Sequence, residues 1–322
     1  MKFLVSVFTI FSLVSVAGIV KAQTILSPSE LDNLLERAER SIINYSETFK
    51  NLSAEELKTF EDYDKNGEIK ETRRIESTFI VYQSAKGGKV NEFRNVLEFN
   101  GKTVARQTEE IEKLFEKLAR ADSVADEWKK IRSEGMRFDG RSSAWGMTLW
   151  QESPFGNLKP FFEFAAVGRE RIEGRDVFVV EYRQTKPTLL LKFNPTADDW
   201  KKEPRGREYH AEIGSNFRPF NARQNGKIWL DAETAQIWRN ETKIFLEPAQ
   251  ISKPVLAVEL IYEYQSSEFK ILVPKKFVIS FNRISGSNDK NLSVLRERKM
   301  TFDYSKFSEF RAETKDYKIA GR

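Results

Sequence analysis

The stretch L-A-V-E-L-I-Y-E-Y-Q, residues 256–265, alternates apolar and polar side chains with period two. Val258, Leu260, Tyr262 and Tyr264 fall on one face, with Glu259, Ile261 and Glu263 on the other. That pattern belongs to a half-buried antiparallel strand, greasy on one side. The same reading spreads over the C-terminal half, with strands expected at 161–171, 176–184, 188–193, 207–213, 223–231, 236–246, 271–283 and 294–304. Residues 194–207 read as a polar, solvated loop.

Toward the N-terminus, stretches 55–63 and 68–83 flank Asp64-Lys65-Asn66-Gly67, and Asn-Gly is the sharpest short hairpin signal. A strand from about Val90 to Phe99 should place Phe93, Leu97 and Phe99 on one face and Arg94, Val96 and Glu98 on the other. Ser27-Pro28-Ser29-Glu30 is a capping box with proline at the first helical position. Leu31, Leu34, Leu35, Ala38 and Ile42 follow at helical spacing, predicting an amphipathic helix over 28–46. Residues 104–134 read as helical again, with Ile111, Leu114, Phe115 and Leu118 in one stripe and a short second piece after Ser123.

About twelve strands and three helices result, and no alternating strand–helix units call for a parallel sheet. A sheet that wide has to curl or close. The fold class is therefore mainly β (α+β): one large curved antiparallel sheet, or unclosed β-barrel, with a few helices in its concave face. No repeat or linker divides the chain, so a single half-barrel-like domain over 23–322 is expected.

Residues 1–22, MKFLVSVFTIFSLVSVAGIVKA, carry Lys2, an uncharged run from Phe3 to Val20 and Val20-Lys21-Ala22 at the end. They read as a signal peptide cleaved before Gln23. Its removal takes the formal charge from +5 to +3 and leaves 300 residues. Export with mild charge argues against a nucleic-acid partner. No later segment is long and uncharged enough to span a bilayer. The expected location is periplasmic or secreted, in a bacterial envelope.

Composition removes several chemistries. The chain has no Cys and a single His, so disulfides, thiol catalysis and two-histidine metal sites are excluded. His210, in R-E-Y-H-A-E, reads as a structural histidine. Asp62-x-Asp64-x-Asn66-Gly67 opens like a calcium loop, but Arg73 stands where the bidentate Glu is needed. The hairpin explains the same residues, and no metal or other cofactor is expected. Asp198-Asp199-Trp200 is the most suggestive carboxylate cluster for a sugar-cleaving site, although it lies in the polar loop. Lys201-Lys202, Lys275-Lys276 and Arg296 to Lys299 read as solvated faces or strand-edge protection, with anionic lipid head groups as an alternative partner.

The hairpin D-Y-D-K-N-G-E-I-K-E (Asp62 to Glu71) is followed by G-R-D-V-F-V-V-E-Y (Gly174 to Tyr182). G-K-I-W-L-D-A-E-T-A-Q-I-W-R-N-E (Gly226 to Glu241) and F-K-I-L-V-P-K-K-F (Phe269 to Phe277) come later. This set resembles uncharacterised secreted proteins of an acidobacterial type. Their fold is similar to the lipoprotein-carrier family, LolA and LolB, and to the sigma-factor regulator RseB. The resemblance implies an unclosed barrel with helices plugging an apolar cavity. It carries over no acyl-contacting residue position by position.

The functional expectation is a non-enzymatic envelope protein holding an acyl chain, lipid or lipoprotein segment in its cavity, with an envelope protein as a further partner. The alternatives are a secreted hydrolase using carboxylates, or a self-plugged interaction module without a ligand. Cavity candidates are Phe178, Val180 and Tyr182, then Val258, Leu260, Tyr262 and Tyr264, then Phe277, Ile279 and Phe281. The Gly-punctuated aromatic stretch from Met136 to Phe155 is read either as a packed loop or as a lid. Trp145, Met147, Trp150 and Phe155 are the lid candidates.

Overall fold

The computed structural model describes residues 25–83, 90–104, 135–139, 155–186, 192–193, 220–247, 252–286 and 289–310. The readings of the signal peptide, His210, the 198–202 cluster, the second helical region and Trp145, Met147 and Trp150 lie outside them.

Helix α1 (Pro28–Thr48) begins as its capping box requires. The Ser27 hydroxyl accepts from the Glu30 amide, and the Glu30 carboxylate accepts from the Ser27 amide at 2.8 Å. Leu31, Leu34, Leu35, Ala38 and Tyr45 form its buried stripe. Ile42 is only half-buried, and Tyr45 takes the place expected of it.

The strands are β1 (Leu52–Tyr63), β2 (Ile69–Tyr82), β3 (Asn91–Phe99), β4 (Lys102–Thr103), β5 (Phe162–Ile172), β6 (Arg175–Gln184), β7 (Lys192–Phe193), β8 (Phe220–Asp231), β9 (Ile237–Glu247), β10 (Val255–Gln265), β11 (Val273–Ser285) and β12 (Ser293–Glu309). All join one antiparallel sheet in the order β4-β3-β2-β1-β12-β11-β10-β9-β8-β6-β5, with β7 paired to β8. Neighbours follow the chain as hairpins from β1 to β4 and from β8 to β12, while β12 returns to pair with β1 and β8 pairs with both β6 and β7. The sheet is not closed: β4 ends it on one side and β5 on the other.

The turns follow local chemistry. Asp64 accepts from the amides of Asn66 and Glu68, and Gly67 takes a φ of +83°, which a side chain would strain. Asn100-Gly101 and Glu173-Gly174, both residues at positive φ, close two-residue hairpin turns. Asp231 closes the β8–β9 turn by accepting from the amides of Glu233 and Thr234 and from the Trp238 indole. Arg175 grips the same carboxylate with two nitrogens.

One expectation about β3 is overturned. The pairing of β2 with β3 slips between Glu76 and Ser77, so Ser77 faces Val96 while Ile75 faces Phe99. This bulge places Arg94, Val96 and Phe99 on one face, instead of Arg94 with Val96 and Glu98. Of the strand expected at 188–193 only residues 192–193 are described, and Lys192–Phe193 is a strand; the strand expected at 207–213 lies outside the described residues.

Candidate functional site

Helix α1 packs on one face of the sheet, called the inner face here. Leu26 and Leu34 border a small cleft with Phe178 of β6. Arg37 donates to the Glu233 carbonyl in the β8–β9 turn. Tyr45 meets Tyr264 of β10 edge-on at 6.1 Å, and Phe49 lies 6.3 Å from Phe307 of β12. The helix therefore crosses the strands near the end that carries the β8–β9 turn.

The strand registers line the expected cavity residues into rows on this face. Val258 pairs with Phe281, Leu260 with Ile279 and Tyr262 with Phe277. The rows continue through Met300 to Phe60, and through Phe302 to Lys58. On the other flank, Val180 pairs with Ile228, which faces Asn240, which faces Tyr262. The ten candidates thus share one face because cross-strand pairing preserves side. Nine of them are buried, and Phe281 is half-buried. Tyr264 is covered by Tyr45, and the Tyr182 hydroxyl shares a 2.6 Å hydrogen bond with Thr242. Of the lid candidates, Phe155 is buried and stacks on Phe164 at 6.0 Å.

Sequence reasoning missed a second feature of the same face. Glu56, Lys58, Glu92, Arg94 and Asp139 form a buried ion cluster, with side chains 7% exposed or less. Lys58 Nζ lies 2.9 Å from both carboxylate oxygens of Asp139 and 4.0 Å from Glu56. Arg94 Nε donates to both oxygens of Glu56 at 3.0 and 2.8 Å, and Nη1 donates to Glu92 at 3.2 Å. Ser77 donates to Glu56 at 2.9 Å. Tyr304 stands opposite Glu56 across the β1–β12 pair.

Asp139 reaches the cluster from the short segment 135–139, which packs on the sheet. A Cβ on Gly135 would meet the Arg94 carbonyl oxygen at 2.7 Å, so the close approach needs glycine. Phe138 stacks on Phe99 at 4.7 Å, and its carbonyl accepts from Arg73. The first residues of the aromatic stretch are thus fixed to the inner face.

The electrostatics follow from burial. Burial favours the neutral forms of Lys58 and Asp139. It holds the Lys58 ammonium below its ordinary range despite Glu56, and lifts the Asp139 carboxyl above its own despite Lys58. Burial raises Glu56 too, but Arg94 and Lys58 outweigh it and bring it below the usual range. Glu56 and Asp139 are two neighbouring carboxylates, yet each is occupied by a cation. The signal lay in β1, where Glu56 and Lys58 interrupt the apolar alternation Leu52, Ala54, Phe60.

The residues considered for calcium are engaged elsewhere. Asp62 pairs with Arg73 at 3.1 Å and with Arg298 at 2.5 Å, while Asp64 caps the turn. The basic clusters within the described residues are paired as well: Lys275 with Glu173, Lys276 with Asp303 and Lys299 with Glu61.

No protein-family model matches this chain, and no curated protein matches it. Among solved structures it is similar to an outer membrane lipoprotein-sorting protein domain from Vibrio parahaemolyticus. That match has 11% identity and a TM-score of 0.35, over 88% of this chain and 95% of the other. A DUF1329 family protein from Desulfovibrio piger gives 11% and 0.34 over 88% and 95%. A LolA superfamily protein from Nitrosomonas europaea gives 10% and 0.31 over 89% and 98%. At these identities and TM-scores the likeness establishes neither a family nor a function for this chain. Among the described residues, no helix is long and apolar enough to cross a membrane.

Proposed function

We propose that the protein is an exported, non-enzymatic envelope protein that binds an acyl chain on the inner face of its open sheet. The observation that carries this reading is the mismatch between α1 and the apolar rows. The helix lies near Phe178 and Tyr264, at one end of the strands. Leu260 is four residues further along β10, about 13 Å at the usual strand rise. Val258 is further still. A helix has a half-width of about 5 Å, so its stripe cannot reach these rows. The rows are aromatic and aliphatic across β10, β11, β12 and β1, and they are buried although α1 does not reach them, Leu260 at 1% and Val258 at 2% exposure, so a bound chain would take the place of their present cover. An acyl chain suits such a surface, because burial contributes about 0.8 kcal/mol per CH₂ without precisely placed polar groups.

The test is a titration of the protein lacking residues 1–22 with a fluorescent fatty acid. Leu260 and Phe281 are each changed to Glu, keeping variants whose circular dichroism matches the parent. Saturable binding that weakens in these variants supports the carrier reading. Absence of binding at tens of micromolar probe, in folded protein, rejects it in favour of a self-plugged module.

A further inference from the structure

The ion cluster stands directly beside the proposed acyl-chain surface. Along one row of the inner face the order is Tyr262, Phe277, Phe302, Lys58 and Ile75. The first three rings are stacked, 4.0 Å from Tyr262 to Phe277 and 5.5 Å from Phe277 to Phe302. The apolar ladder therefore runs into an ammonium group. We infer that Lys58 is the head-group anchor for a single-chain carboxylic acid amphiphile, and that the Asp139 carboxylate occupies that anchor when no ligand is bound. This rests on the acyl-chain reading above and names the chemical class of its ligand.

Three observations support the assignment. Lys58 is fully buried, and its charged form needs an anion beside it, since an unpaired buried charge is strongly unfavourable. Its other acidic neighbour, Glu56, is 4.0 Å away and already receives two hydrogen bonds from Arg94 and one from Ser77. Asp139 is the carboxylate in direct contact with Nζ, through both oxygens. A ligand carboxylate that enters as Asp139 leaves keeps the number of buried pairs constant. Asp139 is also the member of the cluster not borne on a strand. It sits on the segment 135–139, which Gly135, the Phe138 ring and the Arg73 bond also hold against the sheet.

The probes are a long-chain fatty acid and its methyl ester, each displacing a neutral fluorescent probe at pH 8. The expected result is at least tenfold tighter binding of the acid than of the ester to the parent protein. Lys58→Met should bring the acid to the level of the ester while leaving ester binding in place. Asp139→Asn, which removes the competing charge but keeps an acceptor on Lys58, should tighten the acid several-fold and not the ester. If Lys58→Met does not fold, the acid–ester ratio in the parent and its change in Asp139→Asn decide the matter. Equal binding of acid and ester, unchanged in Asp139→Asn, overturns the anchor and leaves the acyl-chain reading standing. Binding of neither overturns both.

Discussion

Lys58 of β1 and Asp139, eighty-one residues apart in sequence, meet inside the protein with the ammonium 2.9 Å from both carboxylate oxygens. Both side chains are 5% exposed or less. Removing two charges from water costs more than an exposed pair returns, so such a contact is weak grounds for stability and better grounds for a specific role. Here it joins the segment 135–139 to the face on which α1 packs.

Breaking this pair from one side should be costly. Lys58→Met is expected to lose about 3–5 kcal/mol by leaving Asp139 buried without its cation. Lys58→Met combined with Asp139→Leu should recover most of that loss, because neither charge is then stranded. Urea denaturation of the two single variants and the double variant measures it. Additive losses would show that the two residues are not coupled.

Asp231 gives a pH signature. Burial would raise its carboxyl, but Arg175, the Thr234 and Glu233 amides and the Trp238 indole hold it at about 2. A carboxyl depressed in the folded state contributes stability that is present above the ordinary value near 4 and lost as pH falls toward 2. With Arg175 partly exposed and screened, this amounts to about 1–2 kcal/mol. Asp139 acts with the opposite sign, since its raised value favours the protonated form in the folded state. Asp231→Asn should lower the Tm at pH 7 and narrow its gap from the parent between pH 4 and pH 2. A constant gap across that range would mean the turn is held by shape rather than charge.

Gly67 should resist substitution. Its φ is +83°, and a Cβ there would stand 3.8 Å from Leu295, so space is not the obstacle. Gly67→Val is expected to cost roughly 1–3 kcal/mol through backbone strain alone. Millimolar calcium should leave the melting temperature unchanged. A rise in Tm that disappears in Asp64→Ala would restore a metal role for this turn.

Export predicts a chemical end. Lys2, the uncharged run to Val20 and Val20-x-Ala22 point to cleavage before Gln23. N-terminal sequencing of protein recovered from a bacterial host should begin at Gln23, in a fraction free of membranes. Met1 retained in a membrane pellet would point to an uncleaved anchor.

The sequence by itself determined most of the described strands, the antiparallel class and the helix start. Those features rest on local periodicity, turn chemistry and capping, each readable within a few residues. The alternation at 256–265 and the apolar residues at 277–281 even marked which side chains share the inner face, because side is conserved along a strand. What the sequence did not determine were the relations that need registers and long-range contacts. The slip opposite Ser77 turned Arg94 inward, and β12 returned to β1 to set Phe302 beside Lys58. Asp139, in a stretch with no period at all, supplied the partner anion. A buried charge is legible in sequence only as an interruption of a pattern. The counter-charge that makes it tolerable can come from anywhere in the chain, and only the tertiary structure brings the two within hydrogen-bonding distance.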